Sequence, residues 1–393
     1  MKYYTKCRLL SLILALLMII SGCSLSQKSN TSKNNNKTDS ESISPSSEPD
    51  LPEDSIETET ISDESDNNNS DSNDISQVES TITPAVWEVT DVNGNTIYMM
   101  GSIHLADSDA SILPDYFESA YAKCEYLAVE CDITNLSLNI FSDYMKMMYT
   151  DGTTIKDHVS TESYEKVVEI LKSSGLYASS YERMKPILWV NTIDLAGAKE
   201  SGLSEKYGVD VNLINRAKSE GKGILEVESV EFQNNLLANL SDEIQLVLFD
   251  SIAEDDIITK YADGYSVLYD HWKNGTISDE DISENEEDEN LTDEEKMLLE
   301  EYNKILLDDR NAGMADKAIE YMNDGKKVMF VVGAAHFYGD NGILQLMTNA
   351  GCSVQRLTSE HSNSSDSSST ESAIPDTDSH EEETSETKLP EAA

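Results

Sequence analysis

Ile97-Tyr98-Met99-Met100-Gly101-Ser102-Ile103-His104 and Val328-Met329-Phe330-Val331-Val332-Gly333-Ala334-Ala335-His336 decide the reading of this chain. Each is an apolar run of strand length that passes straight into Gly-x-x-His. Outward from the first, Trp87 to Thr90 and a turn at Asn93-Gly94 complete a hairpin, Asn-Gly being a strong two-residue hairpin signal. Beyond His104, Pro114 opens a helix with Phe117, Ala120, Tyr121 and Cys124 at three- and four-residue spacing. A strand from Tyr126 to Cys131 follows and carries Glu130 inside an apolar run. Around the second motif, a helix near Met314 to Met322 stops at Asn323-Asp324-Gly325, and the histidine is followed by a helix from about Gly342 to Asn349 and a strand from Ser353 to Leu357. Strand, Gly-x-x-His, loop, helix, strand therefore occurs twice. The expected fold is α/β, with two related βαβ-containing halves around a central sheet and extra helices between them.

Ligands in open α/β sheets bind beyond the carboxyl ends of strands, where both histidines fall. Gly101 and Gly333 let the backbone turn or approach a ligand without a Cβ. Imidazole is the commonest protein metal ligand and titrates near neutrality. Four histidines lie between residues 84 and 358, and only His104 and His336 share a context; His158 and His271 do not. Either one alone reads most simply as a hydrogen-bonded structural histidine; the matched pair favours a site. Glu130, flanked by Leu127, Val129 and Cys131, is costly to bury without a cation, a metal or a proton donor, unless it sits exposed at the strand end. Arg310, in Asp308-Asp309-Arg310-Asn311, has the fork geometry to hold a substrate carboxylate or an oxyanion; on its own it reads as a surface partner of Asp308 or Asp309.

The chain has 393 residues, 75 acidic against 28 basic, for a net charge of -47. That balance argues against nucleic acid as a partner, since phosphate binding needs clustered Lys and Arg. Residues 24–83, 279–295 and 359–393 contribute -11, -11 and -9, so the remainder is an ordinary globular span. The division read from this is a signal segment at 1–23, an acidic Ser/Asn-rich tether at 24–83, an α/β domain at 84–358 with an acidic insert at 279–295, and an acidic tail at 359–393. Tether and tail have too little apolar surface to offset their chain entropy and are expected to be disordered. The insert is expected to loop into solvent, where it could screen the site from acidic substrates.

Residues 1–23 combine Lys2, Lys6 and Arg8 with an apolar run from Leu9 to Ile20, too short for the roughly 20 residues of a membrane span and suited to a signal core. Ile20-Ser21-Gly22-Cys23 resembles the lipobox of bacterial lipoproteins, in which the Cys thiol takes a diacylglyceryl group; two acyl chains give stable anchoring. The expected location is the extracytoplasmic face of a bacterial membrane, with Cys23 lipidated. Cys124, Cys131 and Cys352 form no CxxC pair and read as buried small apolar side chains. Trp189 reads as a buried helix anchor, Met145, Met147 and Met148 as core packing, and Asp242 to Tyr269 as helices over the cleft or the sheet.

Together, Gly101-Ser102-Ile103-His104, Val129-Glu130, Tyr207-Gly208-Val209-Asp210, Leu225-Glu226 with Glu231 and Gln233, Asp309-Arg310-Asn311 with Met314-Ala315, and Gly333-Ala334-Ala335-His336 resemble the TraB/GumN family over roughly residues 84 to 358. That family is similar to the Tiki metalloproteases and, more distantly, to erythromycin esterases and a haem-binding lipoprotein group. The resemblance implies a metal-dependent hydrolytic site in which His104 and His336 match the motif histidines and Glu130 the glutamate. Arg310 and Asn311 match an Arg-Asn pair, and Asp210 and Glu226 further acidic positions without an assigned role. A divalent ion (Mn, Co, Zn or Fe) on His104, His336 and Glu130, acting on a peptide or protein substrate, is the reading this supports. If Glu130 ligates, Asp210 or Glu226 is left to be the base; if Glu130 is the base, the metal needs another ligand. A non-catalytic, pheromone-like peptide binder with Arg310 on the peptide carboxylate is the alternative, and haem capture a third. No HExxH, P-loop or GxGxxG is present.

Overall fold

A computed structural model describes residues 79–135, 142, 145–282 and 291–359. The signal segment, Cys23, nearly all of the tether and the tail from 360 lie outside the described residues. Six strands form one sheet: β1 Val86–Thr90, β2 Thr96–Ser102, β3 Tyr126–Val129, β4 Gly223–Glu226, β5 Val328–Gly333 and β6 Ser353–Arg356, in the order β4-β3-β5-β2-β1-β6. The helices are α1 Asp115–Ala122, α2 Thr161–Ser173, α3 Pro186–Glu200, α4 Val209–Glu220, α5 Val230–Ala238, α6 Asp242–Ser251, α7 Ile257–Lys273, α8 Asp279–Ile282, α9 Asp293–Asn303, α10 Asp309–Asn323 and α11 Ile343–Asn349.

The two Gly-x-x-His strands are parallel neighbours, with Gly101 opposite Val332 and Ser102 opposite Gly333. β2 leaves through α1 to β3 on one side, and β5 leaves through α11 to β6 on the other. Right-handed crossovers in opposite directions place their helices on opposite faces. The core shows it: Met100, Leu127, Met329 and Val331 pack with Phe117 and Tyr121 of α1 and Leu213 and Ile214 of α4, whereas Met99, Ala128, Phe330 and Val332 pack with Met314 and Met322 of α10 and Met347 of α11. The period-two alternation of the strands sorts the side chains between these faces. The point where the connections diverge is the crevice between β2 and β5, where open sheets bind ligands.

β1 and β2 pair antiparallel from Val86↔Met100 to Thr90↔Thr96. The turn is longer than an Asn-Gly pair alone makes. Asp91 closes it by accepting the Asn93 and Asn95 amides, each at 2.8 Å, and Gly94 takes φ +86°. A second core is wholly helical, around Trp189 of α3, whose ring meets Tyr164, Tyr181 and Phe249 edge-on. It is assembled mainly from the two long connections, β3 to α4 and β4 to α10, with Leu105 added from the loop after β2. Cys124 and Cys131 are buried free thiols; Cys352, expected to be buried, is half-exposed.

The acidic insert is helical at both described ends, and residues 283–290, on which the expected loop falls, lie outside the described residues. Its start is α8, where Asp281 is buried against His271 at 2.8 Å and Asp279 accepts the Gly339 amide at 2.7 Å. Its end is the N-terminus of α9, where Thr292 and Glu295 form a capping box. Acidic residues fit these positions because they accept helix and loop N–H groups.

Candidate active site

The carboxyl ends of β2, β3 and β5 converge on Glu130. It lies one residue past β3, and the β3-β4 ladder continues beyond both strands through Val227 N–H to Val129 O at 2.9 Å and Glu228 N–H to Glu130 O at 2.8 Å. That continuation sets Glu130 and Glu228 side by side. Arg310, in the first turn of α10, reaches both: Nε and Nη2 donate to the two oxygens of Glu228, each at 2.8 Å, and Nη2 also donates to Glu130 Oε2 at 2.7 Å. Gln233 Nε2 spans the same two carboxylates, at 2.9 Å to Glu130 Oε2 and 2.8 Å to Glu228 Oε2. Glu130 Oε1 accepts the Gly333 amide at 2.7 Å.

Arg310 owes its position to a π-turn. Lys304–Asp308 widens the helix between α9 and α10, and Leu306 C=O accepts Arg310 Nη1 at 3.1 Å. Such insertions recur at functional sites. The guanidinium is thus buried and committed to internal acceptors. It is neither the surface partner of Asp308 or Asp309 nor a fork held out for a substrate carboxylate, as the sequence reading allowed.

Both histidines are anchored through Nδ1. Asn311 Nδ2 donates to the Asn341 carbonyl at 3.0 Å, so Oδ1 is the atom that faces His336 Nδ1 at 2.6 Å and must accept from it. His336 therefore carries its proton on Nδ1 and presents a lone pair at Nε2. That nitrogen is fully buried, has no hydrogen-bond partner among the described residues, and lies 3.7 Å from Glu130 Oε1. His104 Nδ1 lies 2.6 Å from Asp210 Oδ2, at the first turn of α4. A ligating histidine typically has its other ring nitrogen held in this way by an oxygen acceptor.

The electrostatics separate the three groups. Burial raises the Glu130 carboxyl, but Arg310, both histidines and the Gly333 amide outweigh it and hold it down at about 2. Burial lowers His104, yet the charge and hydrogen bond of Asp210, with Glu130 behind it, raise it to about 9. Burial and the Arg310 charge push His336 down to about 3. His104 thus occupies a slot that holds a positive charge, His336 is a neutral donor, and Glu130 is a weak base.

The model of the TraB/PrgY/gumN family matches residues 85–356. The chain belongs to the TraB/PrgY/gumN family. Among curated relatives, it is similar to Uncharacterized protein YbaP of Escherichia coli K12, 25% identical over 270 residues, which cover 66% of this chain and 92% of that one. The same figures hold for Uncharacterized protein YbaP of Shigella flexneri. No solved structure matches.

In this member of the TraB/PrgY/gumN family, the fold brings His104, Glu130, Asp210, Arg310, Asn311 and His336 into one constellation, with Gly101 and Gly333 at its floor. Glu226 stands apart: it is exposed, and its Oε1 accepts the Asp132 amide at 2.8 Å. Glu228 was not singled out in the sequence, and Gln233 only as part of the family resemblance. The signal for Glu228 is positional, since β4 runs parallel to β3 and the residues just past Glu226 come level with Glu130. Among the described residues, no three His, Cys, Asp or Glu side chains stand spaced to hold a metal ion. The donor set nevertheless suits a divalent cation, which would take the place of the His104 proton: both imidazoles are held at Nδ1, and among the described residues the Nε2 of His336 is unpartnered. Three carboxylates, Glu130, Glu228 and Asp210, with side chains 12%, 9% and 13% exposed, face a single guanidinium. With Arg310 and the protonated His104 counted against the three carboxylates, the excess formal charge is -1.

Proposed function

We propose that this chain is a metal-dependent hydrolase, with His104, His336 and Glu130 as the groups that hold a divalent ion (Mn, Co, Zn or Fe). The observation that carries the reading is the buried Nε2 of His336, unpartnered among the described residues, beside Glu130 Oε1 in a site with three carboxylates and one guanidinium. A bound ion of this kind would supply an activated water and polarise a carbonyl. Asp210 and Asn311 keep the Nδ1 protons in place, so both imidazoles offer the same nitrogen. The low basicity of Glu130 makes it a ligand in preference to a proton acceptor. Of the two acids left as the base, Asp210 is inside the constellation and Glu226 is not. Peptide or protein as substrate, and anchorage of the domain outside a bacterial membrane through diacylglyceryl Cys23, follow from the family resemblance and the lipobox. The peptide-binder alternative relied on a free Arg310 fork, and that fork is turned onto Glu130 and Glu228.

The test is metal content by mass spectrometry on the purified chain beside His104→Ala and His336→Ala. Near-stoichiometric metal that is lost in both variants supports the reading. No metal in the unaltered chain after reloading with Mn, Co and Zn overturns it.

A further inference from the structure

We infer that Glu228 is a positioning residue for this site: it takes the Arg310 fork at two atoms, so that Arg310 is shared and engages Glu130 through one oxygen alone, leaving Glu130 Oε1 to face a cation. The inference rests on the metal reading above for its consequence, but its geometry does not depend on it. Arg310 faces Glu228 fork to fork, with Nε on Oε1 and Nη2 on Oε2, both at 2.8 Å, and reaches Glu130 by Nη2 alone. Bidentate guanidinium-carboxylate pairs are the stronger and more directional of the two kinds. Glu130 is correspondingly divided. Its Oε2 takes Arg310 and Gln233, whereas its Oε1 takes one backbone amide and lies beside the bare His336 Nε2. Gln233 reinforces the division, because its amide donates one hydrogen to each carboxylate and keeps the two Oε2 atoms apart. Glu228 is close to neither histidine by any hydrogen bond or ion pair in the structure. It acts through Arg310.

The substitution Glu228→Gln keeps the shape and removes the charge. Arg310 is then left with Glu130 as its one anion and draws it away from a cation. Mn2+ affinity, measured by titration calorimetry on the full chain, is expected to fall by about 10- to 100-fold, the usual effect of losing a partner one shell out from a metal. The second change, Arg310→Gln in the Glu228→Gln background, removes the competing cation and restores most of that affinity. A packing role predicts the opposite, a double variant worse than either single one. The unfolding of the metal-free chain gives a readout independent of any metal. In a double-mutant cycle, the thermal midpoint should show stronger coupling of Arg310 to Glu228 than to Glu130. Coupling to Glu130 that equals or exceeds coupling to Glu228 overturns the assignment, as does a double variant that binds Mn2+ no better than Glu228→Gln. If the unaltered chain binds no Mn2+ while the cycle comes out as stated, the metal reading fails and the counter-ion assignment stands.

Discussion

Asn311 shows how much of a site can depend on one amide. Its Nδ2 is fixed by a carbonyl that can only accept, so its Oδ1 takes the Nδ1 proton of His336 and the bare nitrogen is forced to be Nε2. Replacing Asn311 by Leu removes the acceptor and leaves a buried N–H without a partner, a loss of about 1–3 kcal/mol. The ring can then turn over or change tautomer, and Mn2+ affinity is expected to drop by about 10- to 100-fold. Replacement by Asp keeps an acceptor against Nδ1 and should retain more of that affinity. Calorimetric titration of both variants checks this; equal losses in the two would mean that the acceptor does not orient the ring. The sequence displayed His104, His336 and Glu130 because each interrupts an apolar run, and a polar residue there is conspicuous. Glu228 interrupts nothing: it sits in an acidic loop, and only the parallel pairing of β3 with β4 gives it a role.

The elements were legible where apolar periodicity and turn chemistry agreed, as in β2, β5, α1 and α10. The strand order was not, since nothing local says that strands more than 200 positions apart lie side by side. Close backbone approach is what joins the two motifs. A Cβ on Gly101 would stand 2.7 Å from Ala334 Cα and 2.9 Å from its Cβ, atoms that cannot swing aside. Gly101→Ala is therefore expected to cost about 1–3 kcal/mol through overpacking and to part the two motif loops. Gly313, inside α10, is the contrasting case. A Cβ there meets nothing within 4 Å, so Gly313→Ala should gain about 0.5–1 kcal/mol from helix propensity. Denaturant unfolding of the two variants distinguishes a steric floor from a dispensable glycine; the assignment fails if both move stability in the same direction. The contacts at the described ends of the acidic insert were not legible for a related reason. Composition reports a charge run but not the helix ends and loop amides that accept it, as Asp279 and Thr292-Glu295 do.

At the scale of the whole molecule, the sheet and the helical core carry their buried polar groups differently. In the sheet's crevice, every carboxylate has a named donor. In the helical core, Asp194 of α3 is fully buried, and among the described residues its Oδ1 takes the Tyr265 hydroxyl at 2.6 Å while its Oδ2 has no partner. Burial raises this carboxyl to about 7, and the Tyr265 hydrogen bond only partly opposes it. The sign of the consequence follows. Below the ordinary carboxyl value of 3.8, both folded and unfolded chains hold the proton, and the cost is absent. As pH rises toward 7, the unfolded chain releases the proton and the folded chain keeps it, so stability falls by about 1.4 kcal/mol per pH unit before levelling off. Asp194→Asn has no proton to lose and keeps an oxygen for Tyr265. Between pH 5 and pH 7, the unaltered chain is thus expected to lose about 2 kcal/mol more than the variant. Unfolding measured at the two pH values decides it, and parallel losses in both proteins would place the pH dependence elsewhere. A protein whose crevice carboxylates each have a donor and whose supporting helices contain an acid with one bare oxygen should weaken, as pH rises through this window, from its helical half first.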